Sequence, residues 1–133
     1  MSILTALRHH MLKPSTTDTH GFIANRAISF NEDPVRTVSA SGHTLTRVFP
    51  LPEGCTSVRV YGGISNLNHR SSSFIDADGN FIKRLGGNGG AISRPAAAVA
   101  IQATIGTSYI HQARILDATH NRYIWHGKDA PKL

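Results

Sequence analysis

The sequence predicts a mainly β protein, an antiparallel β-sandwich or jelly-roll-like domain with a short N-terminal helix and an extended arm. Three observations point there. Residues Ser72–Arg84 hold two short apolar runs around Asp76-Ala77-Asp78-Gly79-Asn80. That is a hairpin signal, because Gly accepts the positive φ of a tight turn while Asp caps the backbone. Val58–Tyr61 and Val99–Ile105 alternate with a period of two, the mark of strands with one buried face. Turn residues recur along the chain at intervals of about ten, which gives an expected count of roughly seven to nine strands.

Composition agrees with that class. The 133 residues are 40% apolar and only 17% charged, rich in Ser, Thr, Gly and Ala, which suits a single β domain better than a helical bundle. A chain of this length buries about two thirds of its unfolded surface without metals or disulfides. Cys55 is alone, so no intrachain disulfide forms, and its place at the entry to a strand marks a structural thiol. No apolar run approaches the ~18 residues that span a bilayer. Ile3–Leu7 is too short for a signal peptide and its positive charges follow instead of precede it, so the expected origin is a cytoplasm.

Taken in order, Ser2–Lys13 places Ile3, Leu7 and Met11 on one helical stripe with Leu4 beside it, Ser2 at the N-cap and Pro14 as the stop. So short a helix is marginal alone. It docks on its own domain or grips a partner, with Ile3, Leu4, Leu7, Met11 and the following Phe22 as the partner-binding candidates. Ser15–Gly21 is a polar linker. Phe22–Phe30 reads as a strand with Phe22, Ala24, Arg26, Ile28 and Phe30 on one side, ended by Asn31-Glu32-Asp33-Pro34. Val35–Ala40 is a weaker strand and Ser39–His43 a turn. The expected organisation is residues 1–43 as helix and extended lead-in, 44–126 as the sandwich core, and 127–133 as a tail.

From Thr44 the pattern sharpens. Leu45–Leu51 and Thr56–Tyr61 read as a strand pair about Pro52-Glu53-Gly54, with Val58 and Val60 inward and Arg59 and Tyr61 outward. Gly62–Ser71 is a loop, and Gly86-Gly87-Asn88-Gly89-Gly90 is too flexible for a regular element. Val99, Ile101, Ala103 and Ile105 share one face of a single strand. Ser108–Leu116 and Arg122–His126 flank Asp117–Asn121 as a second hairpin.

The formal charge of +6, with ten Arg against four Lys, attracts an acidic partner. The Arg residues are scattered and form no basic run, so the expected surface is solvated or turned toward acidic protein, and nucleic acid is the less expected partner. Asp76–Asn80 resembles part of a calcium loop, yet Gly87 stands where an EF-hand needs its final Glu, so the reading is a turn. The eight His lie without Cys or Glu at ligand spacing, so no metal and no cofactor is expected. No nucleophile elbow occurs, and two Glu with six Asp, mostly in turns, give little material for paired-carboxylate hydrolysis. Tyr61, Tyr109 and Trp125 lie on or near strands and are the ligand-binding candidates, as stacking platforms for a glycan. Trp125 also suits a core position.

The run from Thr46 to Ile105 carries a further pattern. Phe49-Pro50-Leu51-Pro52-Glu53-Gly54-Cys55-Thr56-Ser57-Val58-Arg59-Val60 turns into a strand, Phe74–Ile82 forms an Asp-x-x-Gly-Asn hairpin, and Pro95 through Ile101 leads into another strand. It resembles small β-sandwich modules of bacteriophage virion proteins, and carbohydrate-binding modules share it. The resemblance brings no catalytic residues. With the short length and the N-terminal arm, it implies a non-enzymatic virion subunit, a capsid decoration (cement) or tail accessory protein. Such a protein is made in the host cytoplasm, binds the capsid or tail lattice and forms homo-oligomers. The alternative it implies is a carbohydrate- or receptor-binding module.

Overall fold

The computed structural model describes residues 17–62 and 67–133, and the fold is mainly β. Among the described residues the strands are β1 (Ile23–Ser29), β2 (Arg36–Leu45), β3 (Phe49–Pro50), β4 (Ser57–Tyr61), β5 (Ser72–Asp76), β6 (Phe81–Leu85), β7 (Ile92–Ser93), β8 (Ala98–Gln102), β9 (Thr104–Gly106), β10 (Arg114–Asp117) and β11 (Arg122–His126). They form three antiparallel sheets, ordered β1-β2-β9, β11-β10-β4-β7 and β3-β8-β5-β6. The helix expected over Ser2–Lys13 lies outside the described residues.

The Asp-Gly hairpin stands where the sequence places it. β5 pairs with β6, Gly79 takes φ +89°, and its N–H donates to Asp76 O at 3.1 Å. Asp76 Oδ1 accepts the N–H groups of Asp78 and Asn80 at 3.0 and 2.9 Å, and Oδ2 accepts Asn80 Nδ2 at 3.2 Å. Its carboxyl is held below the ordinary range, first by the Asn80 N–H. A carboxylate so engaged closes the turn. β5 is buried on both faces: Phe74 joins the main core and Ile75 a smaller cluster with Ala100.

Four expectations are corrected. Ser39–His43 is the interior of β2 and not a turn, and the boundary expected between 43 and 44 falls inside that strand. The phase expected for Phe22–Phe30 breaks at Asn25, which alone stands opposite the bulged residues 40–43 of β2; its φ is +59° and its Oδ1 accepts the Gly42 N–H at 3.4 Å. Beyond this irregularity, Ala27, Ile28 and Ser29 are all buried. The residues around β3 and β4 are not partners, since β3 pairs with β8, and β4 with β10 and β7. Val99–Ile105 is two strands, because the chain leaves one sheet at Gln102 and joins another at Thr104.

That crossing is made beside a second one, from β2 to β3. Leu45 stands opposite Thr104 and Phe49 opposite Ile101, so Thr46-Arg47-Val48 face only Gln102-Ala103. Side chains complete the interrupted ladder. Thr46 N–H donates to Ala103 O at 2.9 Å, Ala103 N–H to Thr46 Oγ1 at 3.0 Å, and Gln102 Nε2 to Thr46 O at 2.7 Å.

The main core joins Val58, Val60, Ile115 and Trp125 of the second sheet to Phe49, Phe74, Leu85 and Ile101 of the third, with Ile105 from the first. The expected second hairpin forms from β10 and β11. The tail is docked: Gly127 N–H donates to Ala113 O and Asp129 N–H to His111 O, both at 2.8 Å, and the Tyr123 hydroxyl donates to Pro131 O. Thr46→Val keeps the side-chain shape but leaves the Ala103 N–H buried without its acceptor. Urea unfolding is expected to show a loss of about 1–3 kcal/mol with an unchanged m-value.

Candidate functional site

The densest cluster of titratable side chains among the described residues forms where β10 turns into β11. Asp117 ends β10 pointing inward beside Val58, its side chain fully buried. Its Oδ1 accepts the N–H groups of Thr119 and His120 at 3.0 and 3.2 Å, and its Oδ2 accepts from His120 Nδ1 at 2.7 Å and Arg122 Nε at 3.0 Å. The same turn clasps the chain entering β4, since Thr119 Oγ1 accepts the Thr56 and Ser57 N–H groups at 2.8 and 3.2 Å.

Burial pushes the Asp117 carboxyl up, but the hydrogen bonds from His120, Arg122 and Cys55 outweigh it and hold the pKa at about 2. Cys55 lies against this carboxylate, and its thiol donates to Ser57 O at 3.4 Å. Burial first, and Asp117 second, raise the thiol to about 11. At neutral pH the sulfur is therefore a protonated donor, with little nucleophilic character. An imidazole oriented by a carboxylate through Nδ1 is half of a proton-transfer pair. Here that geometry closes a hairpin, and its Cε1 and Nε2 lie against Gly54, where an added Cβ would stand 3.3 and 3.6 Å away.

The sequence placed this turn as a hairpin loop but missed the cluster. The available signal was local: an Asp two and three residues before Thr119 and His120 can cap both amides. The approach of Cys55, more than sixty residues earlier, has no local sign.

The residues singled out from sequence are not brought together. Ile3, Leu4, Leu7 and Met11 lie outside the described residues. Phe22 is half-buried, its ring centroid 5.2 Å from that of Trp125 and 6.3 Å from that of Phe49, so it is spent on the domain's own core. Trp125 is 0% exposed, which removes it as a sugar platform. Tyr61 carries the Arg114 guanidinium 3.9 Å over its ring, and the Gly89 backbone lies so close that a Cβ there would stand 2.2 Å from Tyr61 Cε1. Tyr109, 59% exposed on a 3-10 turn, is the open aromatic of the three. No group of three or more His, Cys, Asp or Glu is placed to hold a metal among the described residues.

Comparison of the chain with protein-family models, with curated proteins and with solved structures finds no match.

Asp117 has a pKa lowered from its ordinary value near 3.8 to about 2. The stability it contributes is therefore present above about pH 5 and is lost as the pH falls toward 2. A shift of that size corresponds to about 2 kcal/mol. Thermal unfolding followed between pH 7 and pH 2 is expected to show this acid limb, and Asp117→Asn to lower stability at pH 7 by about 2–3 kcal/mol while flattening it.

Proposed function

We propose that the chain is a non-enzymatic structural protein of a bacteriophage virion, a capsid decoration or tail accessory subunit that binds the particle's protein lattice. The sandwich or jelly-roll-like architecture belongs to the same reading: the second and third sheets share one core, and chain segments switch between sheets through a bulge, as in sandwiches with corners.

The observation that carries the reading is the edge of β1. This strand lies at the outside of its sheet, and its outer edge is covered near its end, where Ser71 N–H donates to Ile28 O and Phe30 N–H to Asn68 O. Its first residues, Ile23 to Asn25, are exposed, Ile23 to 50%. An exposed edge with an apolar side chain, at the point where the N-terminal segment enters the domain, favours extension onto a neighbouring subunit. The reading is supported further by the use made of the reactive groups, since Asp117, His120 and Cys55 are engaged in closing the fold. The carbohydrate-binding alternative retains Tyr109 as its open platform.

The structure also sets where to cut. Arg47 Nη1 donates to the carbonyls of Asp18 and His20 at 2.7 and 3.2 Å, so residues 17–21 are fastened to the domain. Deleting residues 1–16 is expected to leave amide NMR dispersion intact and to abolish co-sedimentation with virions that carry the full chain. Undiminished co-sedimentation would overturn the assignment of binding to this segment, and absence of the full chain from purified particles would overturn the virion reading.

A further inference from the structure

The outer face of the β11-β10-β4-β7 sheet is unassigned by the reading above. In β4, Val58 and Val60 are buried in the core, so Arg59 and Tyr61 project from the opposite face. The pairing of Tyr61 with Arg114 and of Arg114 with His126 lays one transverse row across β4, β10 and β11. Arg59, Leu116 and Tyr123 form the next row. Leu116 is only 7% exposed although it is outside the main core cluster, so it is the apolar floor of this face.

Three properties mark the face as a docking surface for an anionic partner. Neither row contains a carboxylate, and the nearest one along β10, Asp117, points inward and is engaged by His120 and Arg122. Arg59 and Arg114 are diagonal neighbours on adjacent strands, a separation of about 7–8 Å, so each raises the potential at the other. Both guanidinium groups are also pre-positioned. Arg59 Nη1 donates to Gly89 O at 2.6 Å, and Arg114 Nη1 donates to Gln112 O at 3.3 Å while its plane lies over Tyr61. Each fork is thus fixed through one nitrogen, with no hydrogen-bond partner for Nε and Nη2 among the described residues.

We propose that this face docks an acidic protein surface, with Arg59 and Arg114 presenting their open nitrogens to its carboxylates. The proposal rests on the lattice-binding reading for the class of its partner. Fixed planar forks suit bidentate carboxylate recognition, and part of the ordering cost is met before binding. Tyr and Arg around a buried Leu, without Lys, is also the composition of protein-interface centres. Single-stranded nucleic acid would want open aromatic faces on which bases stack, and the Tyr61 ring is already covered by Arg114.

The test is an amide-resolved NMR titration of the full chain with poly-L-glutamate, and in parallel with oligo(dT) of matched charge. Poly-L-glutamate is expected to shift the Arg59, Tyr61, Arg114 and His126 amides, and Arg59→Gln with Arg114→Gln to weaken binding about tenfold or more. Arg114→Lys keeps the charge, loses the fork, and is expected to fall between; it serves alone if the double variant unfolds. Unchanged affinity in the variants, shifts confined to other surfaces, or tighter binding of oligo(dT) would each overturn the proposal. Because the titration needs no particle, its failure is separate from failure of the virion reading, which co-sedimentation decides.

Discussion

The structure depends on how two stretches of chain cross from one sheet to another side by side. At Thr46-Arg47-Val48 against Gln102-Ala103 the backbone ladder is one residue out of step, and a regular sheet cannot continue through it. Thr46 Oγ1 and Gln102 Nε2 supply the missing partners. The adjoining Thr104 extends the repair: its Oγ1 donates to Ser71 O at 2.6 Å and accepts the Ile28 N–H at 3.1 Å, tying the first sheet to the loop before β5. These polar groups are buried, so each absent partner would leave a desolvated backbone group. The seam is thus polar where a protein interior is usually apolar, and it fixes how the first sheet joins the other two.

The seam also explains where sequence reasoning succeeded and failed. Local turn chemistry was legible: Asp76–Asn80 closes on itself through its own side chains, and Asp117–Asn121 does the same. Inward and outward phase was legible in β4 because that strand is regular. The run Val99–Ile105 keeps its period of two straight through the sheet change, because the residues on both sides of Ala103 are buried, and periodicity cannot tell which sheet buries them. Likewise Ser39–His43 reads as a turn from its Ser, Gly and His, yet it is a bulge inside β2, pinned at its ends where Ser39 pairs with Arg26 and His43 with Gly106. Cys55 and Asp117 meet only because β4 and β10 are neighbours, a long-range fact with no local trace.

The arginines show the same dependence on tertiary context. From the sequence they form a diffuse field of ten charges. In the structure many act as clamps on backbone carbonyls. Arg94 holds Ala98 O through Nε and Nη2 and Cys55 O through Nη1, and Arg47 reaches Asp18 O and His20 O while lying 4.7 Å over the Phe49 ring. Arg122 is committed to Asp117, and Arg36 pairs with Glu32 at 3.3 Å. Such guanidinium groups stitch chain ends and turns to strands, a task that needs several donors in one plane and that Lys performs poorly.

This division of labour separates net charge from recognition. A charge of +6 acts at long range on any polyanion and is screened by salt within about 10 Å. A partner in contact meets individual guanidinium groups, and several of those, Arg47 and Arg94 among them, are turned toward the protein's own carbonyls. Arg59 and Arg114 are each anchored through one nitrogen on a regular sheet face, so their remaining donors are held in place with no hydrogen-bond partner among the described residues. Rigid, unsatisfied donors discriminate by geometry, whereas scattered mobile charges discriminate only by sign. On the proposed docking face, discrimination between acidic partners therefore rests on Arg59 and Arg114.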